Sequence, residues 1–233
     1  MLKFFIDFDG TISMADVVDV ILERFASPDW RKIEEDWQKG NIGSRECLEK
    51  QINLLRITDA ELRCVIENVE IDPHFVSFLQ KAAQVSVPVT IVSDGFDLVI
   101  RGVMERYLKN SKELLKNTSI FSNKILWAKD RLTIQFPEGP VCEHACANCK
   151  ARVIDESRRD GERVVFIGDG LSDRFAAHEA DLVFAKGKLL RYCSENGINH
   201  KKFESFSDIK KWLTAASAAC LPAGRDPTDI RKT

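Results

Sequence analysis

The sequence predicts an α/β fold: a Rossmann-like open parallel sheet with a small helical domain inserted after the first strand. Three observations carry this. Short apolar runs at Lys3–Phe8, Val87–Val92 and Arg163–Ile167 lack polar alternation, and each runs into Asp- and Gly-rich sequence. Strands buried on both faces of a parallel sheet look like this. Helical patterns separate the runs, and alternation of strand and helix is the mark of a doubly covered sheet. Residues 14–74 then break that alternation with four successive helical patterns, more than one crossover needs. The 233 residues are 44% hydrophobic and 30% charged, which excludes a disordered or fibrous chain. Thirty-four Lys and Arg face 36 Asp and Glu, so no basic excess exists to bind a phosphate backbone, and nucleic acid is not an expected partner.

Taken in order, the first strand ends at Asp7-Phe8-Asp9-Gly10-Thr11. The inserted patterns are Val17–Phe25, Trp30–Lys39, Ser44–Leu55 and Ala60–Val69, with turns at Ser27-Pro28 and Gly40-Asn41 and an N-cap at Thr58-Asp59. Phe75–Gln84 has apolar residues at helical spacing and leads into the second strand, which ends at Ser93-Asp94-Gly95. Phe96–Leu108 repeats the helical spacing, and Ile120–Phe136 alternates as a β-hairpin would. Ala151–Ser157 and Asp173–Ala180 read as helices around the third strand and its tip, Gly168-Asp169-Gly170. The pattern fades after Trp212, so the end of the chain is expected to fray. The expected domains are a core of 1–13 and 75–215, a helical cap of 14–74 and a flexible tail of 216–233. The N-terminal apolar run stops at Ile6, too short for a secretory signal, and no stretch approaches the ~20 apolar residues of a membrane span. A cytoplasmic protein with no membrane partner is expected. Its seven cysteines do not suggest a secreted disulfide framework.

The chemistry lies at the strand tips, because ligands of an open α/β sheet sit beyond the carboxyl ends of its strands. A shuffled chain with these 19 Asp, 12 Gly and 8 Thr would contain an Asp-x-Asp-Gly-Thr only about 0.003 times. An Asp-Gly turn at a strand end is common, but it does not explain two carboxylates side by side at a buried tip. Like charges there repel and lose hydration, and a cation relieves both. Asp169 and Asp173 bring two more acids to the same edge, and this all-oxygen donor set suits Mg²⁺. At the second tip Ser93, with the N–H groups of Asp94 and Gly95 opening a helix, reads as an anion site. Lys150, next to a helix start, adds a cation. A metal, an anion cradle and paired carboxylates together equip the edge for phosphoryl transfer.

Val141–Lys150 holds a second cluster, with Cys142, His144, Cys146 and Cys149 inside eight residues. Cys146-x-x-Cys149 is half of a zinc site, which Cys142 and His144 could complete. The competing readings are a compact loop of packed thiols and a redox pair at Cys146 and Cys149. Cys47, Cys64, Cys193 and Cys220 stand alone and read as buried fillers. His74, His178 and His200 show no partners in the sequence.

The order DFDGT, VSDG with Ser93, Lys150 and GDGLSD resembles the haloacid dehalogenase superfamily of aspartate-nucleophile phosphatases, over residues 1 to about 185. The insertion is similar to that superfamily's helical cap of the phosphoserine-phosphatase type. The resemblance implies that Asp7 attacks phosphorus and that Asp9 protonates the leaving group and then activates water. It implies Mg²⁺ on the Asp7 carboxylate, the Asp9 carbonyl and Asp169, with Ser93, Asp94, Gly95 and Lys150 around the phosphoryl group. Asp173 would hold Lys150 or a metal-bound water. Asp94 departs from the pattern, since many relatives carry glycine there.

The Cys-rich loop, Thr11–Asp16 and Phe25–Trp30 further resemble the methionine-salvage branch, which hydrolyses 2-hydroxy-3-keto-5-methylthiopentenyl-1-phosphate. Matching the cap through Gly40-Asn41 and Asn53-Leu54-Leu55 sets Gln51 where phosphoserine phosphatases carry an Arg, and Asp16 where they carry a Glu. A small phosphorylated metabolite other than phosphoserine is therefore expected, handled by a monomer or homodimer. Phosphoserine phosphatase is the alternative substrate assignment. A phosphotransferase would use the same motifs, whereas a binding protein on this fold would be expected to have lost Asp7, Asp9 or Lys150, and a dehalogenase would not need Asp9.

Overall fold

The computed structural model describes residues 1–129 and 131–220. A seven-stranded sheet has the order β4-β3-β2-β1-β5-β6-β7. Its strands are β1 (Leu2–Ile6), β2 (Val89–Phe96), β3 (Thr118–Ala128), β4 (Arg131–Gln135), β5 (Arg163–Gly168), β6 (Leu182–Ala185) and β7 (His200–Lys202). All neighbours pair in parallel except β3 and β4, the expected hairpin, which is antiparallel and makes one edge. The chain steps from β1 to β2 on one side and returns to β5 on the other, so the topological switch point lies at β1.

The central strands are continuous apolar runs because helices cover both faces. Successive side chains of a strand point to opposite faces. Phe4, Ile6, Val165, Ile167 and Phe184 accordingly share one cluster with Phe75 and Phe78 of α5 (Phe75–Gln84) and Phe206 and Leu213 of α11 (Phe206–Cys220). Phe5, Val164, Phe166, Val183 and Ala185 face the other way. They meet α8 (Lys150–Ser157), α9 (Arg174–Glu179) and α10 (Gly187–Glu195). Edge-to-face aromatic contacts tie the first layer together: Phe4 meets Phe78 with ring centroids 5.2 Å apart, and Trp212 meets Phe184 at 5.3 Å.

Between Ser13 and Ile71, which pair across an isolated antiparallel bridge, lie α1 (Val17–Phe25), α2 (Trp30–Gln38), α3 (Ser44–Leu54) and α4 (Asp59–Asn68). The expected cap at Thr58 is a full capping box, with the Thr58 hydroxyl accepting the Glu61 N–H and the Glu61 carboxylate accepting the Thr58 N–H. Such a cap contributes about 1 kcal/mol. Helices α6 (Asp97–Tyr107) and α7 (Lys112–Lys116) link β2 to β3. Among the described residues, no helix is long and apolar enough to cross a membrane.

Three expectations need correcting. Residues 213–220 do not fray: α11 continues to Cys220 because Leu213 is buried against the sheet, although Ala and Ser around it blur the apolar spacing. The rest of the expected tail, 221–233, lies outside the described residues, as does the side chain of Cys220. Cys64 is exposed, since Leu62 and Val65 supply the buried side of α4, whereas Cys47 and Cys193 are buried as expected. Two of the histidines have side-chain partners: His178 meets the Tyr192 hydroxyl at 2.9 Å and His200 meets Ser194, whereas the bond of His74 to Asp72 is made by its backbone N–H.

Candidate active site

The register of β1 on β5, Ile6 against Ile167, sets Asp7 beside Gly168 and Asp169 at the carboxyl edge. The Asp7 N–H still donates to the Ile167 carbonyl at 2.9 Å, so the carboxylate is aimed by the last rung of the ladder. The chain then winds tightly, with the Ile12 and Ser13 N–H groups both donating to the Phe8 carbonyl. Gly10 sits in this turn at φ +70°, and a Cβ there would lie 2.7 Å from an Asp169 oxygen. A positive φ and that closeness explain the glycine of the first motif.

Lys150, the first residue of α8, is 3% exposed. Its ammonium donates to Asp7 Oδ1 and Asp173 Oδ1, both at 2.6 Å, and to Ser172 Oγ at 3.3 Å. Burial alone would lower the Lys150 pKa, but Asp173 and Asp7 outweigh it and the net shift is upward. The lysine is thus a fixed buried cation. Asp7 Oδ2 has no partner among the described residues and stays available.

Asp173 uses both oxygens structurally. Oδ1 takes the lysine and Oδ2 accepts the N–H groups of Asp169 and Gly170, each at 3.0 Å. Asp169 Oδ1 accepts the Thr11 hydroxyl at 2.6 Å. Carboxylate oxygens of Asp7, Asp169 and Asp173 lie within 4.8 Å of one another. Asp7 and Asp173 share the Lys150 ammonium, and burial and then Asp173 push the Asp169 carboxyl upward, with the Thr11 hydrogen bond and Lys186 opposing. A divalent cation that favours oxygen ligands fits this donor set. The three-acid cluster does not include Asp9.

Asp9 faces the opposite wall. Its Oδ1 accepts the Val17 N–H at 3.0 Å, and its Oδ2 accepts the Ser93 hydroxyl at 3.1 Å. Burial, and next the nearby Asp16, push the Asp9 carboxyl up to about 7, although the Val17 and Ser93 hydrogen bonds oppose this. A Cβ on Gly95 would lie 2.4 Å from Asp9 Oδ2, so only glycine leaves the acid room.

The expected helix opening at Asp94 and Gly95 is not there. Pairing of β2 with β3 runs on through a shifted register to Phe96 opposite Asn123, and α6 starts only at Asp97. Asn123 holds the Asp94 carbonyl at 2.6 Å, and the Gly95 N–H donates to Ser93 Oγ at 2.9 Å. The second tip therefore offers a positioned hydroxyl on an extended strand, and α6 begins two residues beyond Gly95. The Asp94 carboxylate accepts the Asn148 N–H at 3.2 Å and is pushed upward by burial, with Lys150 opposing.

Above this edge lies a cavity of about 320 Å³, closed on its far side by α1, α2 and α3. The helices contribute Asp16, Asp19, Glu34 and Gln51, together with apolar surface from Val18 and Leu48. Gln51 is 2% exposed and donates to Glu34 at 3.1 Å, and the Asp16 carboxylate caps α1 through the Asp19 N–H. Among the described residues lining the cavity, the cations are Lys150 and Lys188.

The thiols of Cys142, Cys146 and Cys149 also come within 4.8 Å of one another. His144 does not join them. Its ring stacks on Phe175 at 3.6 Å and meets Glu143 at 3.2 Å, because neighbours along a turn point to different sides. Three contributing residues had no role assigned from sequence. Thr11 and Ser172 stand inside quoted motifs, where a hydroxyl beside paired acids was the available signal. Asn148 carries no such signal, yet its buried amide bonds the Ser93 and Phe121 carbonyls.

Residues 4–178 match the family model described as haloacid dehalogenase-like hydrolase. A protein of Bacillus pumilus (strain SAFR-032) called 2-hydroxy-3-keto-5-methylthiopentenyl-1-phosphate phosphatase is 29% identical over 208 residues, covering 88% of this chain and 87% of that one. Its namesake in Bacillus cereus (strain AH820) is 27% identical over 216 residues, covering 91% and 95%. Among solved structures, a phospho-aspartyl intermediate analogue of phosphoserine phosphatase superposes with a TM-score of 0.68 at 21% identity, over 91% of this chain and 97% of that one. At that identity the likeness shows the shared fold.

Proposed function

The chain belongs to the haloacid dehalogenase-like hydrolase family, and on that premise we propose that it is a phosphatase of small phosphate monoesters that works through a phosphoryl-Asp7 intermediate. One observation carries this: Lys150 clamps Asp7 by one oxygen, while Asp9, raised toward neutrality, faces the same cavity from Ser93 and Val17.

Asp7 Oδ2 attacks phosphorus as the bond to the ester oxygen breaks. Protonated Asp9 gives its proton to the departing alkoxide. Water then attacks the phosphoryl group, Asp9 takes the proton, and the Asp7–phosphorus bond breaks to release phosphate. Lys150 and Ser93 hold charge on the phosphoryl oxygens, and Asp173 positions Lys150. The Asp7 carboxylate, the Asp9 carbonyl and Asp169 would hold Mg²⁺, which would offset phosphoryl charge as a Lewis acid. Residues 14–74 act as a cap, and the Val17 N–H makes the setting of Asp9 depend on where that cap sits. The reducing setting implied by the cysteines is the cytoplasm.

The substrate proposed is 2-hydroxy-3-keto-5-methylthiopentenyl-1-phosphate, as the Bacillus relatives' names suggest. The cap wall supports it. Gln51 and Glu34 offer hydrogen bonds to hydroxyl and keto oxygens, and Val18 and Leu48 offer apolar surface to a thioether tail. A substrate carboxylate would meet Asp16, Asp19 and Glu34 with no cap cation among the described lining residues. Comparing kcat/KM for this ester and for phosphoserine, by released phosphate, tests the assignment. A preference for phosphoserine would refute the substrate and leave the chemistry intact.

A further inference from the structure

We propose that Cys142, Cys146 and Cys149 hold one zinc ion as thiolates, and that this ion fixes the fold of the loop that bridges α3 to Lys150. The site is separate from the phosphoryl chemistry and does not depend on it.

Geometry comes first. In a tetrahedral zinc site with Zn–S bonds of about 2.3 Å, sulfurs stand roughly 3.8 Å apart. The three Sγ atoms already lie within 4.8 Å of one another. The loop is folded for it: the Ala145 N–H donates to the Cys142 carbonyl at 2.9 Å, and Ala145 takes φ +49° to reverse the chain. The Cys146 N–H then points at Cys142 Sγ at 3.3 Å. A backbone N–H aimed at a sulfur favours the thiolate that a metal needs. His144 is engaged with Phe175 and Glu143, so water takes the fourth position.

The second line is what holds this stretch. Residues 137–149 carry no helix or strand. A loop this long inside a compact domain is uncommon without a staple, and it buries few apolar side chains, Ala147 and Cys149 among them. Yet it joins three parts of the machine. The Ala145 carbonyl accepts the Arg45 N–H at 3.1 Å, and the Ala147 N–H donates to Ser44 Oγ at 2.9 Å, both at the start of α3 in the cap. Asn148 ties the loop to Ser93 and Asp94, and Lys150 follows directly. Three thiols cannot all pair as disulfides, but they can share one ion. Binding releases three thiol protons and involves no electron transfer.

The test is elemental analysis of the full chain purified without a metal-binding tag, combined with the spectrum of the cobalt-exchanged protein. About one zinc per chain and an intense thiolate-to-cobalt charge-transfer band are expected. Cys142→Ser should lose both, while Cys64→Ser, changing the exposed thiol on α4, should keep both. If Cys142→Ser fails to fold, the unaltered chain decides. Less than about 0.2 zinc per chain, with the three loop thiols alkylated in the native protein or two of them found as a disulfide, would overturn the proposal. Loss of phosphatase activity in a zinc-replete chain would leave it standing.

Discussion

The strand-tip cluster and the wall formed by α1, α2 and α3 both gather carboxylates around one cavity, but they treat charge in opposite ways. At the tips each acid is committed: Asp7 and Asp173 to Lys150, Asp173 again to two backbone N–H groups, Asp169 to Thr11, and Asp9 to Ser93 and Val17. On the wall, Asp16, Asp19 and Glu34 face the cavity; Gln51 donates to Glu34, the Asp16 carboxylate accepts the Asp19 N–H, and no cation among the described wall residues pairs with them. A site that must hold a phosphoryl group needs fixed cations and aimed donors. A site that must choose the rest of the substrate works by what it refuses, and an acidic wall refuses a carboxylate.

The contrast can be broken at the tips first. Asp7→Asn should cut phosphate release by on the order of 10⁴-fold or more, while thermal melting shows the fold retained. Near-normal turnover would put the nucleophile elsewhere. Gly95→Ala adds a Cβ 2.4 Å from Asp9 Oδ2 and must displace the acid. A shift near 1 Å costs about 10²-fold, so stopped-assay kcat should fall by that order with KM little changed. An unaltered kcat would mean that the placement of Asp9 is not critical.

The wall should respond more gently. Gln51→Arg sets a guanidinium beside Glu34 and gives the wall formed by α1, α2 and α3 a cation facing the cavity. The ratio of kcat/KM for phosphoserine to that for the methylthiopentenyl ester should rise roughly tenfold or more, the value of about 1.4 kcal/mol from one charge-assisted pair. No change in that ratio would remove Gln51 from substrate selection. The smallest effect is the pH profile. The acid form of Asp9, needed to protonate the leaving group, is present below about 7 and lost above it. The kcat/KM should therefore fall as pH rises past about 7. In Asp9→Asn the residual rate should lack that limb.

The same contrast explains what the sequence revealed. The acids at the tips lie next to apolar runs, and buried strands announce themselves by composition, so Asp7, Asp9, Asp169 and the parallel sheet were legible, whereas Lys150, at the start of α8 after the Cys-rich loop, was picked out through the family resemblance. The strand continuing through Ser93–Phe96 was not, because a shifted register and the Asn123 and Asn148 side chains that stabilise it are long-range facts. Thr11 and Ser172 could be named but not assigned, since their partners lie more than twenty residues away. Among residues 14–74 the helices were legible from spacing, and the neutral Gln51 could be guessed from a turn alignment. Its bond to Glu34 depends on how α2 and α3 pack, which spacing does not encode. His144 shows the reverse: metal-like spacing promised a ligand, and stacking on Phe175 took it away.

The central claim is the covalent step at Asp7. Mixing enzyme, Mg²⁺ and a good phosphate ester, quenching in acid at short times and mapping peptides by mass spectrometry tests it directly, with Asp9→Asn used to slow breakdown. The mass of one phosphoryl group should appear on Asp7, labile to hydroxylamine and gone after turnover ends. Phosphate released in the first turnover with Asp7 unmodified at every quench time, or a phosphoryl group found on another residue, would contradict the account.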